Sequence, residues 1–192
     1  MVDKTRPLRA DAARNRARVL EVAYETFAQE GLSVPIDEIA RRAGVGAGTV
    51  YRHFPTKESL FEAIASDRLQ HLIDSAAAFA DTEDPGAAFF AYLALLIDEG
   101  KADLGLVEAL AGIGYDIAAA IPDAEKLFLD TLEGLLTRAQ RAGAVRPDVE
   151  VYDVKVLMMG CQAMQRYSAD PATAQRTLAV VRDGLVGPRV PL

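Results

Sequence analysis

The stretch from Ser33 to Glu58 limits what this chain can fold into more than any other. It reads as two short helices joined by a glycine turn. The first is expected from about Pro35 to Ala43, with Pro at a first helical position and acidic Asp37 and Glu38 near the helix start. Ile36, Ile39, Ala40 and Ala43 fall on one face at helical spacing. Gly44 stands where a helix ends in a positive-φ residue, and Val45 is expected to plug the turn. A second helix is expected from Ala47 to His53, ended by Pro55, because the residue before a proline avoids helical angles. Val50 and Phe54, four apart, would dock on the first helix. Ala47, Gly48, Thr49, Tyr51 and Arg52 are then left outside. A tight glycine turn and small or polar outward residues define a helix-turn-helix.

The run Ile39-Ala-Arg-Arg-Ala-Gly-Val-Gly-Ala-Gly-Thr-Val-Tyr-Arg-His-Phe-Pro-Thr-Lys-Glu-Ser-Leu-Phe61 resembles the DNA-binding signature of the tetracycline-repressor (TetR) family. The carriers are Gly-Val at the turn, Thr-Val-Tyr-x-His-Phe on the second helix, and Pro-Thr-Lys-Glu after it. The likeness is close over roughly the first third of the chain and lies in layout beyond it. It implies phosphate contacts at Tyr51, His53 and Lys57. From Gly100 through Arg146-Pro-Asp148 to the end, the layout is also similar to the SbtR-like C-terminal subgroup.

Chemistry of the outward residues suggests the other DNA roles. Ala47 and Gly48 give clearance for close approach to base edges, and Ala can touch a thymine methyl. Thr49 can hydrogen-bond a base or a phosphate. Arg52 suits a guanine or a phosphate, and the sequence leaves both open. Ser33 reads as an N-cap, with or without a phosphate contact at the helix start. His53 has no acid or nucleophile beside it in the motif, which argues against a catalytic base.

A net charge of −7 is unusual for a DNA binder, but the charge is unevenly placed. Residues 1–60 hold 10 Lys/Arg against 8 Asp/Glu, a balance of +2, and residues 61–192 hold 11 against 20, a balance of −9. One phosphate-binding end on an acidic body fits a protein that touches DNA at one end only. The single cysteine excludes an intramolecular disulfide and fits a reducing cytoplasm. With no long apolar run and a charged, not signal-like, N-terminus, a soluble cytoplasmic protein is expected.

The fold class expected is all-α. Residues 1–55 form an N-terminal three-helix helix-turn-helix domain, and residues 56–192 a helical-bundle domain for effector binding and dimerisation. Met1 to Ala10, with Lys4, Arg6 and Arg9, reads as a disordered terminus or a basic arm that orders on DNA. Asp11 to Glu30 is amphipathic, with Val19, Leu20, Ala23, Tyr24 and Phe27 on one stripe, and Gly31 stops it. Its Arg14, Arg16 and Arg18 make a solvated or phosphate-facing side. Thr56 caps a fourth helix, Lys57 to about Phe79, the mechanical link to the next domain. His71 on that helix is a surface or core residue before it is a ligand contact. Asp84-Pro85 opens a buried helix to about Asp98, closed by Gly100. A shorter helix near Leu106 to Ala111 and a loop around Tyr115 follow. Pro122 opens a helix to about Ala142, with Gly143 at its end, and Val145 to Val149 is an extended connector. Helices from Val151 to about Arg166 and from Ala172 to Val186 complete the bundle, with a frayed tail from Gly187.

Aromatic and sulfur side chains gather in the second domain. Phe89, Phe90, Tyr92, Leu93 and Tyr115 come from its first part, and Phe128, Met158, Cys161 and Met164 from its second. Singly each reads as core. Together, with Met159 among them, they suit an adaptable apolar cavity. The resemblance implies that this domain binds a small effector, which the lining would make hydrophobic or aromatic. The last two helices, with Val154, Leu157, Leu178, Val181 and Leu185, are more apolar than one packing side requires. They form either an ordinary core or a four-helix homodimer seam. The resemblance implies the seam, and so does the need for two recognition helices on a palindrome.

The reading that follows is a dimeric, ligand-responsive transcriptional regulator, a repressor by family habit. Its partners are a double-stranded DNA operator, a small-molecule effector and a second copy, with no membrane. The effector would shift the fourth helix and so the separation of the two recognition helices, which must match a repeat of about 34 Å. It must bind the DNA-incompetent state better. Two alternatives stand beside it. One is a constitutive DNA-binding factor without an effector. The other is an enzyme using the helical domain, which lacks a nucleophile–base pair or a metal-spacing cluster. No cofactor or metal is expected. None of the glycines forms Gly-x-Gly-x-x-Gly or a P-loop.

Overall fold

A computed structural model describes residues 5–80, 82–116, 120–121, 123–167 and 170–187. Among them are eight α-helices: α1 (Thr5–Glu30), α2 (Ile36–Ala43), α3 (Ala47–His53), α4 (Lys57–Ala80), α5 (Pro85–Gly112), α6 (Ala124–Arg141), α7 (Val151–Tyr167) and α8 (Pro171–Leu185). The extended pairing described is one isolated antiparallel bridge, Val145 to Val186. The chain is therefore all-α.

Two compact units divide the molecule. One takes the described residues of Met1–Arg68 and Gly105–Ile121, the other those of Leu69–Leu104 and Pro122–Leu192. The first unit keeps the start of α4 with the helix-turn-helix, so its limit falls inside that helix and not before Lys57.

In the first unit the apolar spacing read from the sequence becomes core. Val19, Leu20, Ala23 and Phe27 of α1 meet Ile36, Ile39, Ala40 and Ala43 of α2, Val50 of α3, and Phe54. Leu60, Phe61 and Ile64 of α4 and Leu106 and Leu110 of α5 join the same cluster. Each fully buried large apolar side chain contributes about 1.5–3 kcal/mol over leaving it exposed. That burial holds α2 and α3, which at 8 and 7 residues are too short to persist alone. Gly44 has φ 68°, and its N–H and that of Val45 donate to Arg41 and Ala40 carbonyls at 3.2 and 3.0 Å, a Schellman ending. Thr56 Oγ1 accepts from Ser59 N at 3.1 Å while Ser59 Oγ accepts from Thr56 N at 3.2 Å, a reciprocal cap for α4.

The second unit is built around Phe89, Tyr92, Leu93, Leu96 and Ile97 of α5, with Leu132, Leu135, Leu136 and Ala139 of α6. Val154, Met158 and Cys161 of α7 and Leu185 of α8 close it. Asp84 accepts from Gly86 N at 2.9 Å and Ala87 N at 3.0 Å, and Asp170 accepts from Ala172 N at 3.0 Å and Thr173 N at 3.2 Å, so both caps have helix-start partners. Gly187 is buried and donates to Ala144 O at 3.3 Å, so the chain after α8 starts by pairing with the α6–α7 connector.

Three boundaries differ from the sequence reading. α1 begins at Thr5, not Asp11, because Pro7 falls in the first turn, where a missing N–H costs nothing. Met1–Lys4 lie outside the described residues, as do Pro122 and the tail beyond Gly187. α5 runs unbroken from Pro85 to Gly112, through Gly100, which was expected to end it. A Cβ at Gly100 would stand 1.9 Å from Gln162 Nε2, and that amide donates to Leu96 O at 2.9 Å. The glycine marks a close approach by α7, not a helix end. Finally, Pro35 rather than Ser33 is the N-cap of α2, with no side-chain cap bond.

Candidate nucleic-acid interface

The second helix of the turn presents its polar residues outward because its apolar ones are spent inward. Val50 and Phe54 are buried, which fixes the rotation of α3. Gly48, Tyr51, Arg52 and His53 are exposed, and Ala47 and Thr49 are half-buried. Gly48 has no internal reason to be glycine, since a Cβ there would meet nothing within 4 Å. Glycine inside a helix costs roughly 0.5–1 kcal/mol against alanine, so the fold tolerates a cost that its own packing does not require.

Lys57 is only half-exposed, and its Nζ donates to the Val34 carbonyl at 2.8 Å and lies 5.5 Å from the centre of the Phe27 ring. Ser33 is exposed in the α1–α2 connector. Two arginines of α1 stand beside the motif. The Arg16 guanidinium lies 5.6 Å from the Phe54 ring centre, and a guanidinium nitrogen of Arg18 lies 3.8 Å from where a Gly44 Cβ would be. The alternation Arg14, Arg16, Arg18 was the sequence signal for this edge, but it did not reveal which elements the arginines adjoin.

Ion pairs lock the back of the motif. Glu38 accepts from Arg41 Nε at 2.7 Å and from Arg42 Nε at 2.7 Å, and Arg42 also pairs with Glu30 of α1. The hydrogen bonds from Arg41 and then Arg42 hold the Glu38 carboxyl down at about 2, well below its ordinary 4.5. Arg42 is thereby committed to joining α2 to α1.

The residues expected to line an effector cavity separate into four groups. Phe90 and Leu93 line a cleft of about 560 Å³ between α5 and α8, with Ile97, Leu178, Val181 and Arg182. Phe89, Tyr92, Met158 and Cys161 are packed in the core of the second unit, and Phe128 is half-buried against it. The Tyr92 hydroxyl donates to Leu72 O at 3.1 Å, and burial pushes its pKa up to about 12. Met164 is exposed. Tyr115 belongs to the first unit, where its ring centre lies 6.1 Å from that of Phe61 and its hydroxyl donates to Glu62 at 2.9 Å. The core group packs into one apolar cluster, where close packing uses large flexible and aromatic side chains to fill volume.

The residues of the expected dimer seam also differ in exposure. Val154 and Leu185 are 0% and 3% exposed within the single chain, so they have almost no surface left to lose to a second copy. Leu157 is exposed, while Leu178 and Val181 are half-buried. Besides Leu157, the large apolar side chains that face out among the described residues of these two helices are Tyr152, Val156, Met159 and Met164 of α7 and Val180 of α8. Positions 152, 156 and 159 repeat at helical spacing, a stripe distinct from the Val154 and Leu157 positions expected for the seam.

Among the described residues no group of three His, Cys, Asp or Glu side chains is placed to hold a metal. Among them no helix is long and apolar enough to cross a membrane.

A buried three-helix scaffold that turns a glycine-bearing recognition helix outward defines a helix-turn-helix protein. Comparison with known proteins narrows the class. Residues 19–64 match the family model for bacterial regulatory proteins of the tetR family, and residues 84–186 match the model for the SbtR-like transcriptional regulator C-terminal domain. The chain is 53% identical to a TetR transcription regulatory protein from Mycobacterium vanbaalenii, over 94% of this chain and 99% of that one, with a TM-score of 0.81. It is 34% identical to a TetR transcriptional regulator from Streptomyces coelicolor, over 90% and 98% of the two chains, with a TM-score of 0.77. A HTH-type transcriptional regulator of Staphylococcus aureus (strain USA300) is 43% identical over 54 residues, 28% of this chain and 29% of that protein, so this match spans less than a third of either. The chain belongs to the tetR family of bacterial transcriptional regulators, with a C-terminal domain of the SbtR-like kind. The family regulates transcription and is not a family of enzymes.

Proposed function

We propose that the chain is a ligand-responsive transcriptional repressor that binds a palindromic DNA operator as a homodimer in the cytoplasm and is released by a small hydrophobic effector. The observation that carries this reading is the outward set Gly48, Tyr51, Arg52 and His53 on a helix whose rotation is fixed by Val50 and Phe54. Small Gly48 admits close approach, Arg52 offers a fork of donors to a base or phosphate, and Tyr51 and His53 offer single donors. Ala47 and Thr49 flank them. Lys57 and Ser33 complete the set of proposed DNA contacts, Lys57 with the donors that Val34 does not use.

One α3 of 7 residues covers few base pairs. The exposed stripe of Tyr152, Val156 and Met159, with Met164 and Val180, supplies the apolar face by which a second copy would bring a second α3. The cleft between α5 and α8 supplies room for an effector, and its volume lies in the range of small-molecule sites. α4 is continuous from the helix-turn-helix into the second unit, which makes it the covalent path for the response. The cleft favours this reading over a constitutive factor with no effector.

Selection of bound duplexes from a random DNA pool tests the reading. The expected product is an inverted repeat with half-site centres about one helical turn, or a multiple of it, apart. Recovery of no enriched sequence, or of a single unrepeated half-site, would overturn it.

A further inference from the structure

The cleft between α5 and α8 has an asymmetric chemistry. Its α5 wall is Phe90, Leu93 and Ile97, with the exposed alanines Ala87, Ala91 and Ala94 beside them. Its α8 wall is apolar at Leu178, Ala179 and Val181, and polar at Gln175 and Arg182. Arg182 is the one charged residue among the described residues of the lining, and its guanidinium carbon lies 5.3 Å from the centre of the Phe90 ring. Stacking on an aromatic face leaves the N–H edge of a guanidinium open for in-plane hydrogen bonds. Among the described residues no carboxylate forms a salt bridge with Arg182, whereas Lys126, Arg146, Lys155 and Arg176 each have one.

That cation stands in the part of the chain that carries 20 Asp/Glu against 11 Lys/Arg. An anion approaching such a surface is repelled in general, so an arginine at an apolar cleft with no salt bridge to a described carboxylate is a local exception. One planar fork matches one carboxylate in a bidentate pair. A phosphate monoester would bring up to two charges to a single cation.

We propose that this cleft is the effector site and that its ligand is an amphipathic monocarboxylate. The head pairs with the Arg182 guanidinium, with Gln175 as a second donor, and the hydrocarbon body lies along Phe90, Leu93, Ile97 and Leu178. This assignment rests on the ligand-responsive reading above and adds to it the place and the chemical class of the ligand. Ala87, Ala91 and Ala94 on one wall and Gln175, Ala179 and Arg182 on the other are exposed, which suits a small molecule entering from solvent.

Isothermal titration of the full-length protein with decanoate and 4-butylbenzoate, each below its aggregation threshold, tests the assignment, with methyl decanoate and decyltrimethylammonium as controls. Both carboxylates should bind at least about tenfold more tightly than the ester, and the cation should not bind. Arg182→Gln should weaken carboxylate binding by about ten- to a hundredfold, the range for a charge-assisted bond, and leave ester binding unchanged. Ala91→Trp, at an exposed position, should fill the cleft and abolish binding of both while the helical circular dichroism is kept. The proposal is overturned if neither carboxylate binds, if acid and ester bind alike, or if Arg182→Gln binds as the parent does. It is also overturned if Ala91→Trp changes the oligomeric state in place of ligand binding, since the cleft would then seat a second copy. Operator release, followed separately, distinguishes the two readings. Carboxylate binding that follows these rules without releasing DNA keeps the site and sinks the ligand-responsive reading. Release by other molecules, unaffected by Ala91→Trp, keeps that reading and sinks the site.

Discussion

The Lys57 ammonium donates to the backbone carbonyl of Val34 at 2.8 Å and so ties the first residue of α4 to the connector between α1 and α2. Val34 lies outside any helix and needs a partner for its carbonyl. Partial burial beside the Phe27 ring pushes the pKa of the ammonium down. Lys57→Met keeps the stem and removes the donor. It should lower unfolding free energy by about 1–2 kcal/mol, less than a fully buried charged bond, measured by urea denaturation. A denaturation midpoint equal to that of the parent would refute the anchoring role.

On the recognition helix, two exposed residues separate two kinds of contact. Tyr51→Phe removes one hydroxyl donor and should weaken binding to every duplex by a similar factor. Arg52→Ala should lose about 1–3 kcal/mol at one operator position if the guanidinium reads a guanine. A uniform loss, with the salt slope reduced by about one, would assign Arg52 to a phosphate instead. Binding to a set of single-base operator variants at two salt concentrations decides between them, and full affinity in both variants would remove α3 from the interface.

Gly100→Ala puts a methyl group where Gln162 lies. The new Cβ would meet Nε2 at 1.9 Å and Cδ at 2.4 Å, so the amide must leave the Leu96 carbonyl. Alanine's helix preference offsets up to about 1 kcal/mol, and displacement of a buried amide costs about 1–3 kcal/mol. A net loss of about 1 kcal/mol is expected. Gln162→Ala should abolish the clash, so the double variant should be more stable than the sum of the single effects predicts. Additive effects would show that the two side chains do not compete.

The Glu38 cluster predicts an acid-sensitive contribution. Its folded-state pKa of about 2 lies below its ordinary 4.5, so its stabilisation is fully present above pH 4.5 and is lost as pH falls toward 2. Denaturation midpoints of the parent and of Glu38→Gln should differ most above pH 4.5 and converge on acidification. A difference that stays constant from pH 7 to pH 2.5 would place the effect elsewhere.

Val156, 67% exposed in the single chain, tests the proposed seam. Val156→Glu should convert a dimer to a monomer in sedimentation and should weaken palindrome binding while leaving single-chain helicity intact. Val154→Ala is the contrast: it should cost stability, since Val154 is fully buried, and leave the dissociation constant of the dimer nearly unchanged. Dimerisation that survives Val156→Glu would move the seam to another face.

Much of the helix-turn-helix was legible because its signals are local. Ala47 to His53 is the helix expected, and Gly44 takes the left-handed angle its position implied. Thr56 and Asp84 lie at the helix starts expected of them, where a short side-chain oxygen has backbone donors within reach. The candidate DNA face follows from the same periodicity, since burying Val50 and Phe54 decides what else points out. Ser33 was misread because a serine before a helix signals a cap only if the chain turns at that residue, and here it turns at Pro35. Gly100 was misread because a glycine that ends a helix and one that makes room for a neighbour look alike in sequence.

The amino-acid order by itself therefore determined the helical class, the recognition helix, its glycine turn and the separation of a near-neutral end from an acidic body. Each of these depends on residues a few positions apart or on summed charge. Only the tertiary structure decided which apolar residues are spent in the core and which remain outside. It placed Val154 inside and Val156 outside, two positions apart on one helix. It moved Tyr115 into the first unit and brought Arg182 against Phe90, 92 positions away in the chain. Hydrophobicity is a property of a residue, whereas burial depends on which neighbours arrive from distant parts of the chain.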